Sequence, residues 1–265
     1  MSEIVAGTLY VVATPIGNLG DLTPRARAVL AGVSAIGAED TRNTAVLLGQ
    51  FGIATPLIAV HDHNEGDIAA KLVTRLQAGD SLALVSDAGT PLVSDPGYRL
   101  VRAVREAGLP VVPVPGACAA IAALSVAGIP SDRFCFEGFL PVKTGARRER
   151  LSELASETRT LVFYESAHRI EESLADLVAI FGADREASLG RELTKRFETL
   201  LRPNLGDIER AVAGDPNQRK GEFVLVVRGN DSNEAAQLAE GKRLYAKLAA
   251  HLKPSQAAKL AAELS

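Results

Sequence analysis

The densest chemistry-bearing stretch of the chain is SDAGTPLVSDPG, Ser86 to Gly97, where four Gly or Pro residues and three small hydroxyls follow the apolar run Leu82–Val85. At the carboxyl end of a parallel strand, such a loop presents backbone N–H and C=O groups to the crevice where α/β sheets hold ligands. Two further turns of this kind, ATPIGN at Ala13–Asn18 and VPGACAA at Val114–Ala120, also follow strand-like runs. Three such turns on one sheet edge point to one crevice. None is a phosphate cradle, since there is no GxxxxGK[ST] and no GxGxxG opening a helix after the first strand, which argues against ATP and NAD. Cys118 and Ala119 at a helix start suit close backbone approach by a bulky uncharged group such as an adenosine, with tight helix packing as the alternative.

Groups able to take a proton from a hydroxyl stand elsewhere. FYESAHR, Phe163 to Arg169, sets Glu165 and His168 just past a strand end. Glu39 and Asp40 of AEDTR (Ala38–Arg42) form a runner-up pair, and Asp40 is also placed to cap the helix that follows. Positive charge gathers at Lys143, Arg147, Arg148 and Arg150 on PVKTGARRERLSEL, a helix whose other face carries Leu151 and Leu154; Arg42, Lys195 and Arg196 add to it. The net charge of −3 supplies no global field for nucleic acid, so phosphate contact would fall to a local patch such as this one. Cys118 and Cys135 lie far apart without a CxxC or a His cluster, so neither zinc nor a disulfide is expected, and both read as buried small residues.

These residues need a scaffold to hold them. At 265 residues, 47% hydrophobic and 23% charged, the chain suffices for two medium α/β domains. Short apolar runs at Leu9–Ala13, Ala35–Ala38, Leu57–Val60, Leu82–Val85 and Val111–Val114 predict strands alternating with helices, hence a mostly parallel sheet covered on both faces. A second set follows at Phe134–Phe136, Leu161–Tyr164, Ala187–Leu189 and Phe223–Val227, with helices near Arg147–Glu157 and Ile170–Phe181. The domains expected are 1–115 and 116–229, with 230–265 a helical appendage broken at Lys253-Pro254-Ser255, where Ser255 could cap a last helix carrying Leu260 and Leu264 on one face. Val111 to Pro130 is uncharged, but Pro113, Pro115 and Gly116 break it into a strand, a turn and a small-residue helix from Ala117 to about Val126 rather than a membrane span. The N-terminus lacks the basic start and cleavage site of a secretory signal, which predicts a cytoplasmic protein.

Eight segments in order carry a resemblance: YVVATPIGNLGDLT, AEDTR, SDAGTPLVSDPG, PGACAA, SDRFCFEGFLP (Ser131–Pro141), FYESAHR, RELTK (Arg191–Lys195) and GEFVLVV (Gly221–Val227). Over residues 7 to 229 the chain resembles the family of ribosomal RNA small subunit methyltransferase I, cytidine 2′-O-methyltransferases similar in fold to the tetrapyrrole methylases. The resemblance implies two α/β domains of tetrapyrrole-methylase type, with S-adenosylmethionine folded into a cleft between them. It implies Pro15 in the first cofactor loop, contacts from Ala88, Gly89, Thr90 and Val93 to methionine and ribose, then Cys118 and Ala119, with Glu165, Thr194 and the backbone at Glu222 toward the adenosine. It also implies small-subunit ribosomal RNA or the assembled subunit as substrate, met by Arg42, Lys143, Arg147, Arg148 and Lys195, no metal, and a homodimer. The tetrapyrrole branch shows GxGPGD and GDP where this chain has ATPIGN and GTP, so each loop lacks a carboxylate, which argues against a tetrapyrrole substrate. A methylase of another small molecule and a non-catalytic RNA-binding module remain the alternatives.

Overall fold

The computed structural model describes residues 4–61, 64–230, 233–249 and 252–264. Its first sheet contains β1 (Leu9–Val12), β2 (Ala35–Ala38), β3 (Leu57–Ala59), β4 (Leu82–Val85) and β5 (Val111–Val114), interleaved with α1 (Pro24–Gly32), α2 (Thr41–Gln50), α3 (Glu65–Gln77) and α4 (Tyr98–Glu106). The order is β3-β2-β4-β1-β5, and the registered pairs are parallel. Alternation along the strands feeds two cores. Tyr10, Val12, Ile36, Ala38, Ala83 and Val85 pack with Val29 and Leu30 of α1 and Leu48 of α2. Leu9, Ala35, Leu82 and Leu84 pack on the other face with Leu72 and Leu76 of α3 and Leu100 and Val104 of α4.

That division follows from handedness. The path β1 to β2 to β3 steps one way across the sheet and β3 to β4 to β5 steps back, so right-handed crossovers put α1 and α2 on one face and α3 and α4 on the other. The adjacent strands β1 and β4 therefore send their outgoing loops to opposite faces. This is the switch point at which an open α/β sheet leaves a crevice.

The second sheet has the order β6-β7-β10-β8-β9, formed by β6 (Phe134–Phe139), β7 (Thr160–Ser166), β8 (Ala187–Arg191), β9 (Thr199–Leu201) and β10 (Glu222–Val227). Helices α6 (Thr144–Leu154), α7 (Ile170–Phe181) and α8 (Leu205–Gly214) accompany it, while α5 (Ala119–Ala127) falls almost wholly in the first unit. Strand β9, absent from the sequence expectation, is three residues at the sheet edge. Two compact units result: Met1–Val126 with Gly190–Leu200 and Gly221–Val224, and Ala127–Leu189 with Leu201–Lys220 and Leu225–Ser265.

At the C-terminal end α9 (Asn233–Leu248) is followed by α10 (Pro254–Leu264). Two expectations change here. The amides of Gln256 and Ala257 donate to the Lys253 carbonyl, so Lys253 is the cap, Pro254 takes the first helical position, and Ser255 lies inside the first turn. The buried face of α10 is Ala257 and Ala261, while Leu260 is half-buried and Leu264 exposed: small side chains let α10 lie close on α9.

Candidate functional site

Three loops interlock at the carboxyl ends of β1, β4 and β5. Thr14 donates its N–H to the Gly89 carbonyl at 2.8 Å and accepts the Gly89 N–H at 3.1 Å, which clamps the first loop to the second. The Thr14 hydroxyl reaches the Ser86 carbonyl at 3.4 Å, and the Thr90 hydroxyl donates to the Ala117 carbonyl at 3.0 Å, joining the second loop to the third. Gly89 sits at φ +82°, and a Cβ there would meet Ile16 Cγ2 at 3.3 Å. Pro15 and Gly89 are buried, Thr90, Val93, Cys118 and Ala119 half-buried, and Ala88 exposed. The structure thus brings the seven candidate residues of these loops onto one sheet edge. Both cysteines, expected buried, are half-buried and free: Cys118 ends a turn, its carbonyl accepting from Ala122 N–H, and Cys135 lies on the edge strand β6.

A fourth segment belongs to the same compact unit. Among the described residues, the non-glycine positions with positive φ are Leu92, Ser94, Glu192 and Thr194, all in SDAGTPLVSDPG or RELTK. Such conformations cost of order 1–3 kcal/mol each and concentrate where ligands are gripped. Thr194 adds a second sign, because its hydroxyl oxygen is enclosed without a hydrogen-bond partner. Lys195, expected to meet RNA, instead binds Glu192 at 2.8 Å and Glu222 at 2.7 Å, and its alkyl stem covers Gly17, where a Cβ would come within 2.4 Å of Lys195 Cγ. Although burial opposes it, these two carboxylates hold the Lys195 ammonium above its usual pKa. Lys195 therefore pins the first loop to the fourth, and its charge is already neutralised.

Carboxylates crowd the outer side of this edge. Asp40 caps α2, accepting from the Arg42 amide at 2.8 Å and chelating the Arg42 guanidinium, which with that amide bond holds its carboxyl down at about 2. The capping reading of Asp40 thus has its geometry, and Arg42, though exposed, is tied back to it. Asp87 accepts from Asp40 N–H at 3.0 Å and from the Asn43 side chain at 2.7 Å, while its own N–H donates to Glu39 at 3.4 Å. Burial pushes the Asp95 carboxyl up to about 6 against a hydrogen bond from Ser86, with the Glu39 and Asp87 charges adding to the rise. The sequence offered Glu39 and Asp40 as a runner-up pair without placing them at this edge, and did not single out Asp87 and Asp95, which stand within SDAGTPLVSDPG.

In the second unit two of the candidate residues are engaged internally. Glu165 is buried with its oxygens engaged by Ser166 N–H at 2.8 Å, the Ser173 hydroxyl at 2.6 Å and Arg169 at 2.7 Å. These bonds tie it into the FYESAHR turn. His168, in contrast, is exposed. Arg147 is 1% exposed and bonds Asp176 at 2.6 Å and Glu172 at 3.3 Å, so it is held in an internal ion pair. Arg148 is 61% exposed, although it shares Asp176 at 2.6 Å, and Lys143 is exposed as the cap of α6.

Residues 8–209 match the family model described as Tetrapyrrole (Corrin/Porphyrin) Methylases. The chain is 61% identical over 259 residues to ribosomal RNA small subunit methyltransferase I of Xylella fastidiosa (strain Temecula1 / ATCC 700964), covering 98% of this chain and 95% of the relative. It is 55% identical over 258 residues to the protein of that name from Escherichia coli O157:H7, covering 97% and 90%. Among solved structures it is similar in fold to the methyltransferase CobJ (TM-score 0.62, 23% identity, 85% and 95% covered). Another is uroporphyrin-III C-methyl transferase from Thermus thermophilus complexed with S-adenyl homocysteine (TM-score 0.57, 20% identity, 87% and 99% covered).

Proposed function

Because the chain belongs to the tetrapyrrole (corrin/porphyrin) methylases, and within them to the ribosomal RNA small subunit methyltransferase I family, we propose that it methylates small-subunit ribosomal RNA from S-adenosylmethionine, at the 2′-hydroxyl of a cytidine ribose. The observation that carries this reading is 61% identity sustained over 98% of the chain. The residues present fit the cofactor. Gly89 leaves backbone where a Cβ would crowd Ile16, and the enclosed Thr194 hydroxyl oxygen awaits a polar partner. Pro15, Ala88, Gly89, Thr90, Val93, Cys118 and Ala119 would hold it, with Thr194 and the Glu222 backbone on the adenosine side.

When bound, S-adenosylmethionine supplies a methyl group on a sulfonium, which departs as a neutral thioether. The protein's part is then mainly alignment: fixing an acceptor hydroxyl in line at about 3–3.5 Å is worth about 7–11 kcal/mol. The three interlocked loops supply that rigidity. Of the proposed proton acceptors, His168 is the one whose side chain stands open to solvent. Lys143, exposed and without an ion pair among the described residues, and Arg148, 61% exposed although it shares Asp176, are the cations of α6 proposed to meet phosphate, since Arg147 and Lys195 are enclosed by carboxylates.

The remaining partners follow as proposals: the cytoplasm as the place where small-subunit RNA is met, and a homodimer, to be checked by sedimentation. Among the described residues no helix is long and apolar enough to cross a membrane. The deciding experiment incubates the protein with labelled S-adenosylmethionine and, separately, naked small-subunit RNA, assembled subunits and uroporphyrinogen. Label at a ribose 2′-oxygen is the expected result. Label on the tetrapyrrole alone would overturn the reading.

A further inference from the structure

Three aromatic rings meet where β6 and β7 end. The Phe136 and Tyr164 centroids are 4.9 Å apart at 73°, and those of Phe139 and Tyr164 are 5.7 Å apart at 66°, both edge-to-face. Phe136 and Phe139 are three residues apart, so a regular strand would turn them to opposite faces. A bulge cancels that. Phe136 pairs with Val162 and Gly138 with Phe163, Glu137 is skipped, and Phe139 then pairs with Tyr164 on the same face as Phe136. Gly138 makes the step possible at φ +65°, and the skipped Glu137 turns its carboxylate to Arg150 at 2.7 Å.

The bulge gains no burial for Phe139. Phe139 is 52% exposed, whereas Phe163 and Phe223 of the same sheet are 1% and 2% exposed. The chain continues into exposed Val142 and Lys143, and among the described residues Lys143 forms no ion pair. A local backbone device that holds an apolar ring in water, braced edge-on by a second ring and followed by a free cation, serves a ligand with a π-face and a negative charge. A single-stranded nucleotide has both.

We propose that Phe139, braced by Tyr164, is the stacking platform for an unpaired base of the RNA substrate, with Lys143 at the adjoining phosphate. This rests on the RNA-methylating reading above and adds a positioning residue to it. An RNA strand suits the patch better than a second copy of the chain, because a two-fold contact through this face would bring the two Lys143 charges together.

The test uses full-length protein with S-adenosylmethionine and a single-stranded small-subunit RNA fragment carrying 2-aminopurine. Phe139→Ala and Phe139→Leu are expected to lower kcat/KM for RNA by about tenfold or more and to abolish the stacking quench, leaving cofactor affinity and sedimentation unchanged. Phe139→Trp should restore both signals. Leucine separates stacking from apolar bulk: if Phe139→Leu behaves as wild type, the platform is wrong. Unchanged kcat/KM and quench in Phe139→Ala, or a change in self-association with RNA kinetics intact, would also overturn it. Wild-type protein that binds and quenches the RNA but transfers no methyl to the fragment, to naked small-subunit RNA or to assembled subunits would instead sink the functional reading and leave the platform standing.

Discussion

Replacing Arg147 by methionine should destabilise the protein by about 3 kcal/mol without acting through RNA. Arg147 and Asp176 are 1% and 2% exposed and joined at 2.6 Å, so removing the cation strands a buried carboxylate, a change that costs roughly 3–5 kcal/mol. Methionine keeps most of the stem's volume, and Arg148 still reaches Asp176 at 2.6 Å from a partly hydrated position, which places the effect at the lower end. For a chain of this size about 3 kcal/mol corresponds to roughly 6–12 °C in Tm. Arg148→Met, removing a 61% exposed partner, should cost under about 1 kcal/mol. The pH dependence carries a sign. Although burial would raise it, the hydrogen bonds from Arg148 and Arg147 hold Asp176 below its ordinary pKa. Its pairing therefore stabilises the fold fully above the unfolded value near 4 and less as pH falls through the folded value, so the gap between wild type and Arg147→Met should narrow below about pH 4. Thermal and denaturant unfolding from pH 3 to 8 would measure it. A loss below about 1 kcal/mol at pH 7, or equal losses for the two variants, would refute the argument.

Gly89→Val should weaken S-adenosylmethionine binding at least about tenfold by calorimetry, because φ +82° and Ile16 at 3.3 Å both exclude a branched side chain; unchanged affinity would displace the cofactor from these loops. Asp95→Asn should raise Tm above about pH 6: the raised folded pKa favours the fold below the unfolded value near 4 and this is lost as pH climbs to about 6, beyond which the ionised carboxylate costs about 1–2 kcal/mol after allowing for partial exposure. A pH-independent difference between Asp95→Asn and wild type would contradict this. His168→Gln should lower kcat at least about tenfold, and an unaltered kcat would remove His168 as proton acceptor. Truncation after Gly229 should leave S-adenosylmethionine affinity unchanged, and a large drop would show that α9 and α10 support the loops.

Much of the first unit was legible because each of its levels has a local sign. The runs Ala35–Ala38, Leu82–Val85 and Val111–Val114 became strands with the expected bounds, since short β-branched or small apolar segments flanked by Gly, Pro or polar residues have few alternatives. Strand β9 had no such sign: Thr199–Leu201 is half-exposed and defined by its neighbour in the sheet. The bulge in β6 was hidden for a related reason. It is a property of pairing with β7, and FCFEGF read alone gives no register.

The candidate site divides along the same line. Loop positions such as Gly89 and Thr90 could be placed from turn chemistry at a strand end, whereas charges could not be assigned until their partners were known. Arg147 did carry a warning, because it stands at i, i+4, i+7 with Leu151 and Leu154, and all three are buried on α6. A cation on the apolar stripe of an amphipathic helix has to find an internal anion, and Asp176 supplies it from α7. Lys195 had a local sign in Glu192 three residues before it, but its other partner Glu222 is 27 residues away and meets it only when β8 and β10 lie side by side. Net charge and basic runs thus count cations without saying which are already neutralised. In this chain Arg147 and Lys195 are enclosed by carboxylates, while exposed Lys143 and the 61% exposed Arg148 stand in the half of α6 nearest the exposed Phe139 in sequence.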